Sequence, residues 1–138
     1  MTGLLVLGVV IAAATVFGLW RLRTEGRVNR APAGRPALTS ADLGADLGAT
    51  ATLVQFSSAF CAPCRAARQV LGQAAQTVDG VRHVEIDAES HLDLVRRVGV
   101  TRTPTTFVLD PDGRIVRRAT GVPRLSDVRA AIADMAAS

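Results

Sequence analysis

Thr52-Leu53-Val54-Gln55-Phe56-Ser57-Ser58-Ala59-Phe60-Cys61-Ala62-Pro63-Cys64 is the stretch on which the reading of this chain turns. Residues 52–56 are a short run of β-branched, apolar and aromatic side chains, the composition of a strand. Cys61 and Cys64 follow at once, spaced by about one helical turn. Beyond them Val70, Leu71, Ala74, Ala75 and Val78 recur at helical spacing. The two cysteines therefore stand where a strand hands over to a helix. They are also the only two in the chain, so no disulfide framework elsewhere supports the fold.

A C-x-x-C pair has two main uses, half of a zinc site or a redox dithiol. The zinc use needs a second half, and only His83 and His91, on separate elements, are available. Arg65 rather than histidine follows Cys64, which excludes a haem-attachment motif. The expectation is no metal and no cofactor beyond the cysteine pair. A thiolate is the attacking species, and a free cysteine is mostly protonated at neutral pH. At the junction the unpaired N–H groups and positive end of the helix dipole point at Cys61 and favour its anion. Pro63 suits a first helical turn, where its missing N–H has no intrahelical partner to lose, and it stiffens the motif. Thiol–disulfide exchange follows: Cys61 attacks a disulfide and Cys64 resolves the mixed disulfide.

Outward from the motif, Thr39 and Ser40 signal a short helix carrying Leu43 and Leu47. The helix after the cysteines is expected to end at Gly80. Residues 81–87 alternate with Val84 and Ile86 on one face, and Leu92, Val95 and Val98 continue a helix that stops at Gly99. After Thr103-Pro104 come a strand over 105–109, the turn Asp110-Pro111-Asp112-Gly113, and a strand over 114–118. Ser126 is expected to cap a last helix bearing Val128, Ala131, Ile132 and Met135. A βαβ unit followed by ββα predicts an α/β fold, a central mixed sheet with helices on both faces.

These features resemble the thioredoxin family over roughly residue 40 to the C-terminus. Phe60-Cys61-Ala62-Pro63-Cys64 follows a strand, Val84-Glu85-Ile86-Asp87 is similar to the family's central strand, and the segment 98–105 resembles its cis-proline segment. Gly121 sits where a glycine loop borders the site. The resemblance implies a thioredoxin-like fold and a protein-disulfide oxidoreductase acting most readily as a reductant. It implies that Pro104 is cis and packs beside the cysteines, that Thr103 offers backbone hydrogen bonds to a substrate strand, and that Phe60 and Gly121 border the bound substrate. Its partners would be protein disulfides and an electron donor such as a thioredoxin reductase or a membrane thiol carrier. The family's buried aspartate, six residues before the first cysteine, is here Gln55, and an amide does not ionise. Ala62 replaces the usual glycine, Phe60 the usual tryptophan, and Ser57 a second aromatic. His83 is a candidate for moving the proton instead; the alternative is a strand histidine that exchanges nothing. A dithiol slowed by Gln55 would leave a binding or scaffolding module.

Residues 3–20 carry no charge and would span about 27 Å as a helix, near the thickness of a bilayer core. Apolar residues cover every face, and the segment before them lacks the basic charge of a cleaved signal peptide. The organisation expected is a single-pass anchor over 2–20, a basic linker over 21–37, and a folded domain over 38–138. Between Arg21 and Arg35 five arginines face only Glu25, a net of +4, whereas eleven arginines balance eleven acids from residue 36 onward. The positive-inside rule then puts the domain in the cytoplasm, with an extracytoplasmic domain as the alternative. With the charge excess confined to this run, no tyrosine and few aromatics, nucleic acid is not an expected partner.

Overall fold

The computed structural model describes residues 1–137. Helix α1 (Thr2–Thr24) stands apart, with no residue buried, and leads to a two-residue strand β1 (Asn29–Arg30). Next come the short helix α2 (Ser40–Leu43), strand β2 (Ala51–Ser57), helix α3 (Ala62–Gln76) and strand β3 (Val81–Asp87). A 3₁₀ turn over Ala88–Ser90 precedes helix α4 (Leu92–Val98), the hairpin β4 (Thr105–Leu109) and β5 (Ile115–Thr120), and helix α5 (Leu125–Ala136).

The five strands lie in the order β1-β5-β4-β2-β3. Only β2 and β3 are parallel, joined through α3; β4 runs antiparallel to both β2 and β5, and β1 antiparallel to β5. Strand β2 is buried along its whole length. Because successive side chains point to opposite faces, it feeds two cores. Val54 and Phe56 join Val84, Ile86, Leu94, Val98 and Phe107 on one face. Leu53 joins Leu71, Ala74, Val108, Val128 and Ile132 beneath α3 and α5 on the other. Phe56 and Phe107 meet edge to face at 5.7 Å, each burying an aromatic ring worth about 2–3 kcal/mol. The thioredoxin-like mixed sheet anticipated from the sequence is present.

Local chemistry sets several boundaries. Thr39 caps α2 and Asp42 closes the reciprocal capping box. Helix α3 stops at Gln76 rather than at Gly80: the N–H of the C-cap Thr77 donates to the Ala74 carbonyl at 3.2 Å, three residues back instead of four, and the Thr77 hydroxyl donates to the same carbonyl at 2.7 Å. Asp110 Oδ1 accepts the N–H groups of Asp112 and Arg114, so the turn holds Arg114 and β5 starts one residue later. Gly113 has φ +81, and a Cβ there would lie 2.1 Å from the Leu38 carbonyl. Ser126 does not cap the last helix. Arg124 is the N-cap without a side-chain bond, and the helix opens at Leu125, which packs against the core of Val128, Ala131 and Ile132.

The basic stretch after α1 docks on the sheet. Asn29 and Arg30 pair with Arg118 and Arg117 of β5, and the Gly26 N–H donates to the Thr120 carbonyl at 2.7 Å. Gly26, with φ +74, lies so close to the Val122 carbonyl that a Cβ would come within 2.0 Å. The apolar helix therefore leaves the domain from a fixed point beside β5.

Candidate active site

Strand β2 ends at Ser57 and delivers the chain through Ser58, Ala59 and Phe60 to the cysteines. Phe60 takes a left-handed conformation, φ 56, uncommon for an aromatic residue, and its ring is fully exposed beside Cys61. Cys61 is the N-cap of α3, Ala62 and Pro63 form its first turn, and both of these are exposed. Cys61 and Cys64 are joined in a disulfide with Cα atoms 5.2 Å apart. The two sulfurs differ in access: Cys64 is buried at 1% exposure, whereas Cys61 is half-buried. The Cys64 N–H donates to Cys61 Sγ at 3.2 Å, so a helix N-terminal amide serves that sulfur.

Across from the dithiol runs the loop before β4. The Thr103–Pro104 peptide bond is cis and Pro104 is buried. Thr103 Oγ1 lies 4.0 Å from Cys61 Sγ and 2.7 Å from Ser58 Oγ. The Gly121 N–H donates to the Pro104 carbonyl at 2.8 Å, which braces the loop from behind.

Beneath the motif, Gln55 is fully buried and its amide is fully used. Nε2 donates to the Cys64 carbonyl at 2.8 Å and to Ser57 Oγ at 2.9 Å, while Oε1 lies 3.1 Å from His83 Nε2. This network fixes the amide orientation and makes His83 Nε2 the donor to Oε1. Burial lowers the His83 pKa from its ordinary value, partly opposed by the Glu85 charge, with Arg68 adding to the lowering. Those two residues form a bidentate pair at 2.6 and 2.7 Å on the outer edge of β3. His91 is elsewhere, its Nδ1 bonded to the Asp87 carbonyl at 2.9 Å. Among the described residues no group of three or more histidine, cysteine or acidic side chains is placed to hold a metal ion.

A family model described as Thioredoxin matches residues 38–134, about two thirds of the chain and all of the elements around the dithiol. The chain belongs to the thioredoxin family. It is 33% identical over 86 residues to thioredoxin H4-1 of Oryza sativa subsp. japonica, covering 61% of this chain and 65% of the relative. It is 30% identical over 69 residues to the mitochondrial thioredoxin-3 of Saccharomyces cerevisiae, covering 50% and 54%. The chain thus spans between half and two thirds of the length of these relatives. Among solved structures, a chloroplastic thioredoxin z superposes with a TM-score of 0.58 at 24% identity, covering 65% of this chain and 81% of that one. Thioredoxin-2 of the malaria parasite gives 0.59 at 15% identity, covering 75% and 99%. These likenesses establish the fold.

Within this thioredoxin site, Cys61, Cys64, Phe60, Ala62, Pro63, Thr103, Pro104 and Gly121 converge on one end of the sheet, with Gln55 and His83 just below. Sequence reasoning passed over Ser58, whose only signal was a hydroxyl three residues before Cys61. It also passed over Arg68 and Glu85, which are seventeen residues apart and meet only because α3 packs on β3.

Proposed function

We propose that this thioredoxin-family chain is a membrane-anchored thiol–disulfide oxidoreductase that reduces protein disulfides. One observation carries the reading: of two cysteines close enough to bond, only Cys61 is accessible, and it lies on a helix N-terminus beside the cis-proline loop. The Cys61 thiolate attacks one sulfur of a target disulfide and expels the other as a thiolate, leaving a mixed disulfide. Cys64, deprotonated, then attacks Cys61 Sγ, releases the target's second thiol and closes the Cys61–Cys64 disulfide. An electron donor of the thioredoxin-reductase kind, or a membrane thiol carrier, returns the pair to the dithiol. The cysteines are the whole redox apparatus in this reading.

Thr103 and Pro104 supply the ledge for an extended substrate strand, Gly121 holds that ledge, and Phe60 offers an exposed ring to the substrate's flank. Gln55 and His83 are positioning residues. His83 occupies the amide oxygen, which commits the NH₂ to the Cys64 carbonyl and Ser57. An amide carries no proton to the Cys64 sulfur, so that proton travels by solvent or by the departing target thiolate.

Residues 2–20 form the anchor, 21–37 the connection and 38–138 the working domain. Helix α1 supports the anchor, since its 23 residues are long and apolar enough to cross a membrane. Arg21, Arg23, Arg27 and Arg30 beyond it favour a cytoplasmic domain, the side on which a dithiol is kept reduced.

Cys64→Ser tests the enzymatic reading. It should accumulate mixed disulfides on Cys61 that a reductant releases, while the full chain reduces insulin-type disulfides. A second reading, a slow dithiol serving a scaffold, is favoured by Gln55 standing where the family has its acid. A folded protein that neither traps targets nor reduces disulfides would select the scaffold.

A further inference from the structure

Where α1 meets the domain there is an open cleft of about 440 Å³ walled by both. Arg21, Arg27 and Arg30 line it from the anchor side, Arg102 and Arg118 from the domain side, and Glu25 is its one acid. Five positive charges against one acid leave a net +4 in the cleft. Glu25 is already shared, 3.3 Å from Arg21 and 3.4 Å from Arg102. Among the described residues no carboxylate pairs with Arg27, Arg30 or Arg118.

The backbone of the anchor side and the Arg118 side chain are held in place. The Gly26 bond to Thr120 and the β1–β5 ladder hold the anchor side against the sheet. Arg118 is stacked 5.5 Å from the centre of the Phe107 ring and donates to the Gly99 carbonyl at 3.0 Å. Folding thus concentrates positive charge in the cleft, with Glu25 as the one internal counterion among its lining residues.

The depth of the cleft identifies the counterion. If α1 crosses a bilayer, the uncharged run through Trp20 fills the hydrocarbon, and residues from Arg21 onward lie at the headgroup layer. We propose that the cleft binds the phosphate-bearing headgroup of an acidic glycerophospholipid; this rests on reading α1 as a membrane anchor. Phosphate is the shared chemistry with free inorganic phosphate, and the lipid is the source to which the placement points. Arg102 immediately precedes Thr103, and the Thr105 hydroxyl donates to the Arg102 carbonyl at 2.6 Å. A bound headgroup therefore touches the rim of the substrate loop and holds the dithiol face near the membrane plane, where it serves disulfides close to the surface.

The test uses the full chain. In vesicles of phosphatidylcholine alone it should resist extraction by an alkaline wash. In neutral detergent, native mass spectrometry should find one saturable phosphatidylglycerol, not displaced by phosphatidylcholine or by inorganic phosphate. Each cleft arginine removed should weaken that binding about fivefold, so Arg102→Gln with Arg118→Gln costs roughly 25-fold. Arg27→Gln with Arg30→Gln, two exposed side chains outside the core, should give a comparable loss without touching the fold. The distant pair Arg82→Gln, on the opposite edge strand β3, and Arg129→Gln, both exposed, should change nothing. Release by the alkaline wash overturns the anchor and this inference with it. Retention without a preference for phosphatidylglycerol, an equal loss in the distant pair, or equally tight inorganic phosphate overturns the inference and leaves the anchor standing.

Discussion

Replacing Gln55 with leucine removes a side chain with no solvent exposure and three hydrogen bonds, to the Cys64 carbonyl, Ser57 Oγ and His83 Nε2. The partners stay in place, so each bond lost costs about 1 kcal/mol rather than cancelling. Leucine recovers part of this by burying an apolar side chain, leaving a net loss of roughly 2 kcal/mol. For a domain of this size that corresponds to a fall in melting temperature of roughly 8–16 °C. The measurement is thermal and urea unfolding of the oxidised full chain in neutral detergent. A double-mutant cycle with His83→Leu isolates the His83 bond, with an expected coupling of about 1 kcal/mol. Unchanged stability in Gln55→Leu, or a cycle additive to within about 0.3 kcal/mol, would refute the account of Gln55 as the strut beneath Cys64.

Burial depresses the His83 pKa, so between its folded and unfolded values the unfolded chain binds the proton and the folded chain does not. Stability is therefore full above about pH 6.5 and declines as pH falls below it; His83→Gln should flatten that decline in urea midpoints measured across the range. Thr103→Val removes the hydroxyl 4.0 Å from Cys61 Sγ and should slow alkylation of the reduced Cys61 at neutral pH by about threefold, an effect that Thr103→Ser should largely restore. Gly26→Ala forces a Cβ against the Val122 carbonyl at φ +74, and should cost more than about 1 kcal/mol and raise hydrogen exchange at β1 and β5 while the dithiol half of the sheet stays protected.

Some of this protein is written in one-dimensional patterns. The alternation of β3, the apolar run of β2 and the repeat along α3 fixed the element types, because side-chain periods of 2 and 3.6 belong to single elements. Cys61 and Cys64 were legible as a reactive pair because their chemistry depends on a spacing of three and a strand-to-helix junction. The apolar segment of α1 was legible for the same local reason. Helix ends were less so: Thr77 and Arg124 set boundaries that Gly80 and Ser126 suggested otherwise, since a last turn closed on a carbonyl three residues back or a leucine drawn to the core outweighs a capping preference.

Neighbouring residues alone specify the dithiol, the strand and helix that present it, and the candidate anchor. Which cysteine is exposed was decided only when α3 packed on the sheet. The same packing tied Gln55 to His83 and to the Cys64 carbonyl, across separations of 28 and 9 residues. The docking of β1 on β5 turned what reads as a basic linker into one wall of a cleft whose other wall includes Arg102. Hydrogen bonds and charge clusters of that kind join residues far apart in the chain, and they exist only once the sheet order β1-β5-β4-β2-β3 has brought its members together.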